Sequence, residues 1–201
     1  MSIYRPDYKT LFIHVPKTAG SSMEQQSFLG GGGHEWAMDY MRKFGVGPNN
    51  EVWKQTFKWG FVRNPWDRFV SVYFRWPPTK HNPEKFKEFV MGEFSDTGFD
   101  IEAMKRNDWH LHHHFLPQHY FLCDDRMNVL VDFVGRFESL DEDWRYVCER
   151  IGVPYRELPI INPGHHDNYR EYYDDETAAV IAKFYSMDIW VFNYTFDRGA
   201  K

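Results

Sequence analysis

The stretch TLFIHVPKTAGSS, Thr10 to Ser22, sets an apolar run directly before a turn of basic, small and hydroxyl-bearing residues. The run Thr10–Val15 predicts a buried strand closed by Pro16. PKTAG predicts a loop, and a helix should open near Ser21–Ser22, where serines can cap its free N–H groups. A helix N-terminus aims N–H groups and roughly half a positive charge at whatever faces it. Ala19 and Gly20 allow close backbone approach, Thr18, Ser21 and Ser22 add hydroxyl donors, and Lys17 adds a full charge. Pro16–Ser22 therefore reads as a cradle for a phosphate-like anion, against the alternative of an ordinary strand-to-helix turn. It is not the triphosphatase pattern GxxxxGK[ST], because Gly20 is followed by Ser21 and the lysine stands at the start of the loop. Val129-Leu130-Val131-Asp132 imitates the magnesium-holding strand of those enzymes. Without the lysine in its place, Asp132 reads as a strand-end residue.

The segment FVRNPWDRFVSVYF, Phe61–Phe74, repeats the device. A strand over Phe57–Arg63 runs into Asn64, and Pro65 opens a helix. Phe69, Val72, Tyr73 and Trp76 fall at the spacing of one buried helical face, and Pro77-Pro78 stops it. Arg63 sits where the strand leaves the sheet and offers a planar fork suited to a phosphate monoester, with Ser71 two turns into the helix. A structural pair between Arg63 and Asp67 is the alternative.

Outward from these segments, His34–Gly45 predicts a short helix after the glycine run Gly30–Gly33. Thr79–Asp108 predicts mixed helices and loops. Val129–Val134 predicts a strand, Asp141–Ile151 a helix ended by Gly152, and Glu176–Trp190 an amphipathic helix with Val180, Ile181, Phe184 and Met187 on one side. Strands alternating with helices point to an α/β fold with a mainly parallel sheet flanked by helices. Ligands in such sheets bind beyond the carboxyl ends of the strands, where both segments lie.

The 201 residues suit one domain, 1–201. Aromatics reach 19%, a share that serves mainly to fill a core. A net charge of −5 argues against a general nucleic-acid or anionic-membrane binder, so an anionic ligand needs a local site. Two cysteines, Cys123 and Cys148, support neither a disulfide framework nor a Cys-rich zinc site. No apolar run reaches a membrane span and the first residues lack a signal-peptide core, so the expectation is a soluble, cytoplasmic protein.

HVPKTAGSS followed about forty residues later by FVRNPWDRFVSVY resembles the sulfotransferases that use 3′-phosphoadenosine-5′-phosphosulfate (PAPS). It is most similar to the carbohydrate type that includes heparan 2-O- and chondroitin 4-O-sulfotransferases and small bacterial relatives. PQHYFL, VDFVGRFESLDEDW, INPGHHDNY and YYDDET resemble later landmarks, so the likeness runs from Leu11 to Phe196. It implies a P-loop-like three-layer α/β domain. It also implies that the loop from Pro16 through Lys17 to Ser22 binds the 5′-phosphosulfate, that Arg63 and Ser71 bind the 3′-phosphate, and that 3′,5′-adenosine bisphosphate is the product. The late loop departs from the family at Pro163-Gly164, which leaves it without an assigned donor contact.

In-line sulfuryl transfer needs a base near the acceptor hydroxyl and a cation near the leaving oxygen. Lys17 suits the second role, and no metal is required. For the base, the resemblance favours His34, in the glycine-histidine pair after the first helix, ahead of His114 and Glu35. His114-Phe115-Leu116-Pro117-Gln118 is similar to the family's H-(W/F)-x-P-Q segment, which borders the acceptor, so His34, His114 and Gln118 are the substrate-side candidates. His112 and His113 read as surface residues. His110 and His114 stand at i, i+4, but no HExxH pattern or third ligand accompanies them, so zinc is not favoured. The acceptor class is a carbohydrate or small-molecule hydroxyl. A P-loop nucleotide kinase and a non-catalytic nucleotide-binding descendant are the competing readings.

Overall fold

The computed structural model describes residues 2–26, 28–29, 35–44, 50–75, 82–95, 101, 114–161 and 168–196. It forms two compact units: Met1–Arg63 with Gln118–Ile161, and Asn64–Pro117 with Asn162–Lys201. In chain order the strands are β1 Ile3–Arg5, β2 Thr10–Ile13, β3 Phe57–Val62 and β4 Phe133–Arg136. The helices used below are α1 Gly20–Glu24, α2 Ala37–Lys43, α3 Glu51–Gln55, α4 Pro65–Tyr73, α5 His119–Leu122, α6 Leu140–Ile151, α7 Asp175–Phe184 and α8 Ser186–Phe192.

The first unit carries a four-stranded sheet in the order β1-β2-β3-β4. β1 is antiparallel to β2, while β2, β3 and β4 run parallel. The fold is thus α/β with a mostly parallel sheet, and β1 is an edge strand that three residues of sequence do not announce. Phe12 of β2 stacks on Trp59 of β3 at 4.4 Å, and Trp59 packs against Trp144 of α6 at 5.9 Å. Burying such rings contributes most of the local stabilisation. Trp59 Nε1 donates to Thr10 Oγ1 at 2.9 Å, so its one polar atom is satisfied inside the core. Gly135 is required in β4, since a Cβ there would lie 2.6 Å from the Phe61 ring.

Several boundaries differ from the sequence reading. β2 ends at Ile13, so His14 and Val15 already belong to the loop. β4 begins at Phe133; Val129 makes only an isolated bridge with Cys123. Asp132 therefore stands at the amino end of β4, the edge opposite the strand ends where ligands bind. There its carboxylate accepts from Lys58 N and from Lys58 Nζ, both at 2.8 Å. That geometry makes Asp132 a sheet-end tie.

The second unit is helical. Asn64 Oδ1 caps α4 by accepting from Trp66 N at 3.1 Å, and Pro65 sits in the first turn, where a missing N–H costs nothing. α4 closes at Tyr73; Trp76, Pro77 and Pro78 lie outside the described residues. Its buried face supplies Phe69, which meets Phe94 at 4.8 Å and Phe115 at 5.2 Å in an aromatic core. The amphipathic stretch expected as one helix is two, α7 and α8, interrupted at Tyr185. Tyr185 is fully buried and its hydroxyl donates to Phe115 O at 2.7 Å, so a tertiary contact sets the break. No helix among the described residues is long and apolar enough to cross a membrane.

Candidate active site

Because β2, β3 and β4 are parallel, their carboxyl ends leave the sheet on one edge. Three segments emerge there: the loop after Ile13, Arg63 after Val62, and Phe137 after Arg136.

The loop is shaped by its backbone. Lys17 (φ 70°) and Ala19 (φ 68°) both adopt the left-handed region, which L-residues enter at a cost of about 1–2 kcal/mol each. Such residues beside right-handed ones turn successive N–H groups toward one concavity, the form of an anion nest. Thr18 is fully buried between them, its hydroxyl donating to Val15 O at 2.8 Å, so it braces the turn. Lys17 remains partly exposed.

Helix α1 starts one residue earlier than the serines suggest. Ala19, left-handed and without a side-chain acceptor, is its N-cap; Ser21 and Ser22 lie inside the first turn, and Ser22 N donates to Ala19 O at 2.9 Å. The N–H groups of Gly20 and Ser21 stand ahead of that first internal bond, as at any helix start. Gly20 is fitted to His14: a Cβ on it would lie 2.1 Å from His14 Nε2. His14 Nδ1 meets Glu24 Oε1 at 2.8 Å, and its ring stacks on Phe12 at 5.7 Å. The imidazole thus joins the end of β2 to both ends of α1.

Arg63 is buried at this same edge. Its guanidinium lies over the Phe137 ring, 4.0 Å from Cζ to the centroid, and Nη1 donates to Lys17 O at 3.4 Å. Sequence placed Lys17 and Arg63 at equivalent strand ends, and the structure brings them together. Gln118, expected on the substrate side, is instead fully buried: Oε1 accepts from Arg63 N and Nε2 donates to Arg63 O, both at 2.9 Å. The amide faces the main chain of Arg63. No local motif announces that pairing across 55 residues of sequence.

His34, the favoured base, lies outside the described residues, as do His110, His112, His113, Pro163 and Gly164. Its neighbour Glu35 is anchored beside the loop: Ser2 Oγ donates to Glu35 O at 2.6 Å and accepts from His14 N at 3.1 Å. The Glu35 carboxylate is a weak base. Lys43 hydrogen-bonds one oxygen and Tyr40 OH the other at 3.0 Å, and the Lys43 bond foremost holds the carboxyl below its ordinary range, against the raising effect of burial. Ser71 and His114 belong to the second unit. Ser71 is buried within α4. The His114 carbonyl is held by Arg68 Nη2 at 2.7 Å, and Leu116 O by the same nitrogen at 2.7 Å.

Comparison with known proteins bears on this edge. The model of the Sulfotransferase family matches residues 1–195, through both units. An uncharacterized protein of Archaeoglobus fulgidus is 33% identical over 61% of this chain and 92% of its own length. Human carbohydrate sulfotransferase 9 is 27% identical over 67% of this chain and 37% of that protein. Mouse carbohydrate sulfotransferase 11 is 20% identical over 94% of this chain and 65% of that protein. The chain thus spans less than two thirds of the length of these named relatives. No solved structure matches it significantly. With the match running nearly end to end, the chain belongs to the sulfotransferase family, and its named relatives are carbohydrate sulfotransferases.

Proposed function

We propose that this protein is a PAPS-dependent sulfotransferase acting on a hydroxyl of a carbohydrate or small-molecule acceptor. The observation that carries the reading is the meeting of Arg63 with Lys17 at the carboxyl edge of the sheet, Nη1 to carbonyl at 3.4 Å. A buried guanidinium held against the main chain of the Lys17 loop sets a fixed cation beside a nest of N–H groups, which suits a ligand with two separate anionic groups, and PAPS has them at its 5′ and 3′ positions. The nest around Thr18 fits the 5′ group and the Arg63 fork fits the 3′-phosphate, for which the family resemblance also proposes Ser71. Family membership along 1–195 supports reading the two units as one P-loop-like, three-layer domain.

PAPS supplies a sulfuryl group on a phosphate leaving group. Lys17 holds positive charge against the oxygen that departs, and the loop N–H groups fix the phosphate for in-line displacement. His34 takes the acceptor's proton; the anchoring of Glu35 to Ser2, one hydroxyl away from His14, supports a base at that point of the chain. His114 remains the second candidate on the acceptor side. No metal enters these roles. The kinase reading is not favoured, given the family and the absence of the glycine-lysine-hydroxyl order. The carbohydrate sulfotransferase names of its relatives support a sugar hydroxyl as acceptor.

The test is transfer of labelled sulfuryl from PAPS to a panel of mono- and oligosaccharides. Label appearing on a sugar hydroxyl, with release of 3′,5′-adenosine bisphosphate, supports the reading. Absence of transfer across the panel, with no binding of that bisphosphate, contradicts it.

A further inference from the structure

The ladder between β3 and β4 ends with Val62 opposite Arg136, and that between β2 and β3 ends with Gly60 opposite Ile13. Arg63 follows, buried, past the end of both ladders: one residue beyond Val62 and three beyond Gly60. A buried main-chain N–H and C=O need partners, and neither ladder among the described residues extends to Arg63. Gln118 supplies both, through two hydrogen bonds of 2.9 Å. A primary amide carries a donor and an acceptor in one plane, as a peptide unit does, and only Asn and Gln offer it. Gln118 thus acts as one residue of an added strand. Its own main chain is fixed by the start of α5, where Phe121 N donates to Gln118 O at 3.0 Å.

We infer that Gln118 is a positioning residue for Arg63: it fixes the backbone of Arg63 past the end of β3 and thereby aims the guanidinium at the donor's 3′-phosphate. The inference rests on the proposed role of Arg63 as the 3′-phosphate ligand. Backbone and head group are then held independently. The amide sets the main chain, while the Phe137 ring and Lys17 O set the guanidinium. Losing the amide releases the first constraint without touching a charge, so the damage should fall on recognition of the 3′-phosphate and spare the rest of the nucleotide.

The test compares binding of 3′,5′-adenosine bisphosphate with binding of 5′-AMP by calorimetry, in the wild type and in Gln118→Leu, Gln118→Glu and Arg63→Ala. The affinity ratio reads the 3′-phosphate alone. Gln118→Leu should reduce the ratio about tenfold, the order expected for two lost hydrogen bonds, while 5′-AMP binding stays near wild type. Gln118→Glu keeps the acceptor for Arg63 N but sets an oxygen against Arg63 O, and should also lower the ratio. That variant carries the test if Gln118→Leu does not fold. Arg63→Ala should collapse the ratio, and adding Gln118→Glu to it should cause no further loss. If Arg63→Ala collapses the ratio while a folded Gln118 variant leaves it unchanged, the inference falls and the reading of Arg63 stands. A ratio untouched by Arg63→Ala overturns both. Equal weakening of both ligands by the Gln118 variants marks a merely structural role and also overturns the inference.

Discussion

The imidazole of His14 occupies the space that a side chain on Gly20 would need, with Nε2 2.1 Å from the position of a Cβ. The ring has little room to yield, because Glu24 holds Nδ1 at 2.8 Å and Phe12 stacks against it. Gly20→Ala should therefore destabilise the protein by about 1–3 kcal/mol, the usual cost of overpacking, and weaken donor binding by displacing the loop. Thermal denaturation with and without 3′,5′-adenosine bisphosphate checks both effects. In the His14→Ala/Gly20→Ala double variant the clash is gone, so its loss of stability should be smaller than the sum of the two single losses.

Lys17→Ala separates anchoring from chemistry. A lysine that stabilises the leaving oxygen should cost a factor on the order of 10²–10⁴ in turnover when removed. Steady-state kinetics at saturating PAPS reads this directly. Unchanged turnover with a raised KM for PAPS would make Lys17 an anchor only.

Asp174 ties the start of α7. Its carboxylate accepts from Thr177 N at 2.8 Å, Thr177 Oγ1 accepts from Asp174 N at 3.0 Å, and Lys87 reaches the second oxygen at 2.6 Å. Asp174→Ala should cost about 1 kcal/mol as a lost N-cap. The Lys87 bond first, then those from Thr177, hold the carboxyl well below the usual carboxylate range. A group depressed on folding contributes stability above its unfolded pKa of about 3.9 and loses it as pH falls through the folded value. The stability gap between wild type and Asp174→Asn, which keeps a cap but not the charge, should therefore be present at neutral pH and shrink in acid. Urea denaturation at several pH values measures it.

Cys148 sits buried in α6, and burial pushes its thiol up to about 11. Thiolate is the reactive form, so native protein should label slowly at Cys148 with iodoacetamide near pH 8 and rapidly in denaturant. Peptide mapping by mass spectrometry distinguishes it from Cys123. Prompt native labelling of Cys148 would contradict its burial.

How far the sequence was legible depends on how local each determinant is. β2 with its loop and β3 with Arg63 were readable because an apolar run, a basic residue and a helix start are contiguous. The meeting of Lys17 with Arg63 followed from parallel strands sharing a carboxyl edge. α1 begins one residue before Ser21, and its cap is Ala19 in the left-handed region where the sequence suggests a serine; no composition rule places a non-glycine there. The late start of β4 and the break at Tyr185 come from pairing and packing with distant residues. Gln118 lies at the far limit: its partner is a main chain 55 residues away, so only the fold could show that its amide completes a strand.

The central claim is that this edge binds a nucleotide phosphorylated at both 3′ and 5′ positions. Calorimetric titration of the wild-type chain with 3′,5′-adenosine bisphosphate in the absence of magnesium, beside a titration with ATP and magnesium, tests it most directly. The account predicts saturable one-to-one binding of the bisphosphate and weaker binding of ATP. Tight magnesium-dependent binding of ATP with no binding of the bisphosphate would contradict it.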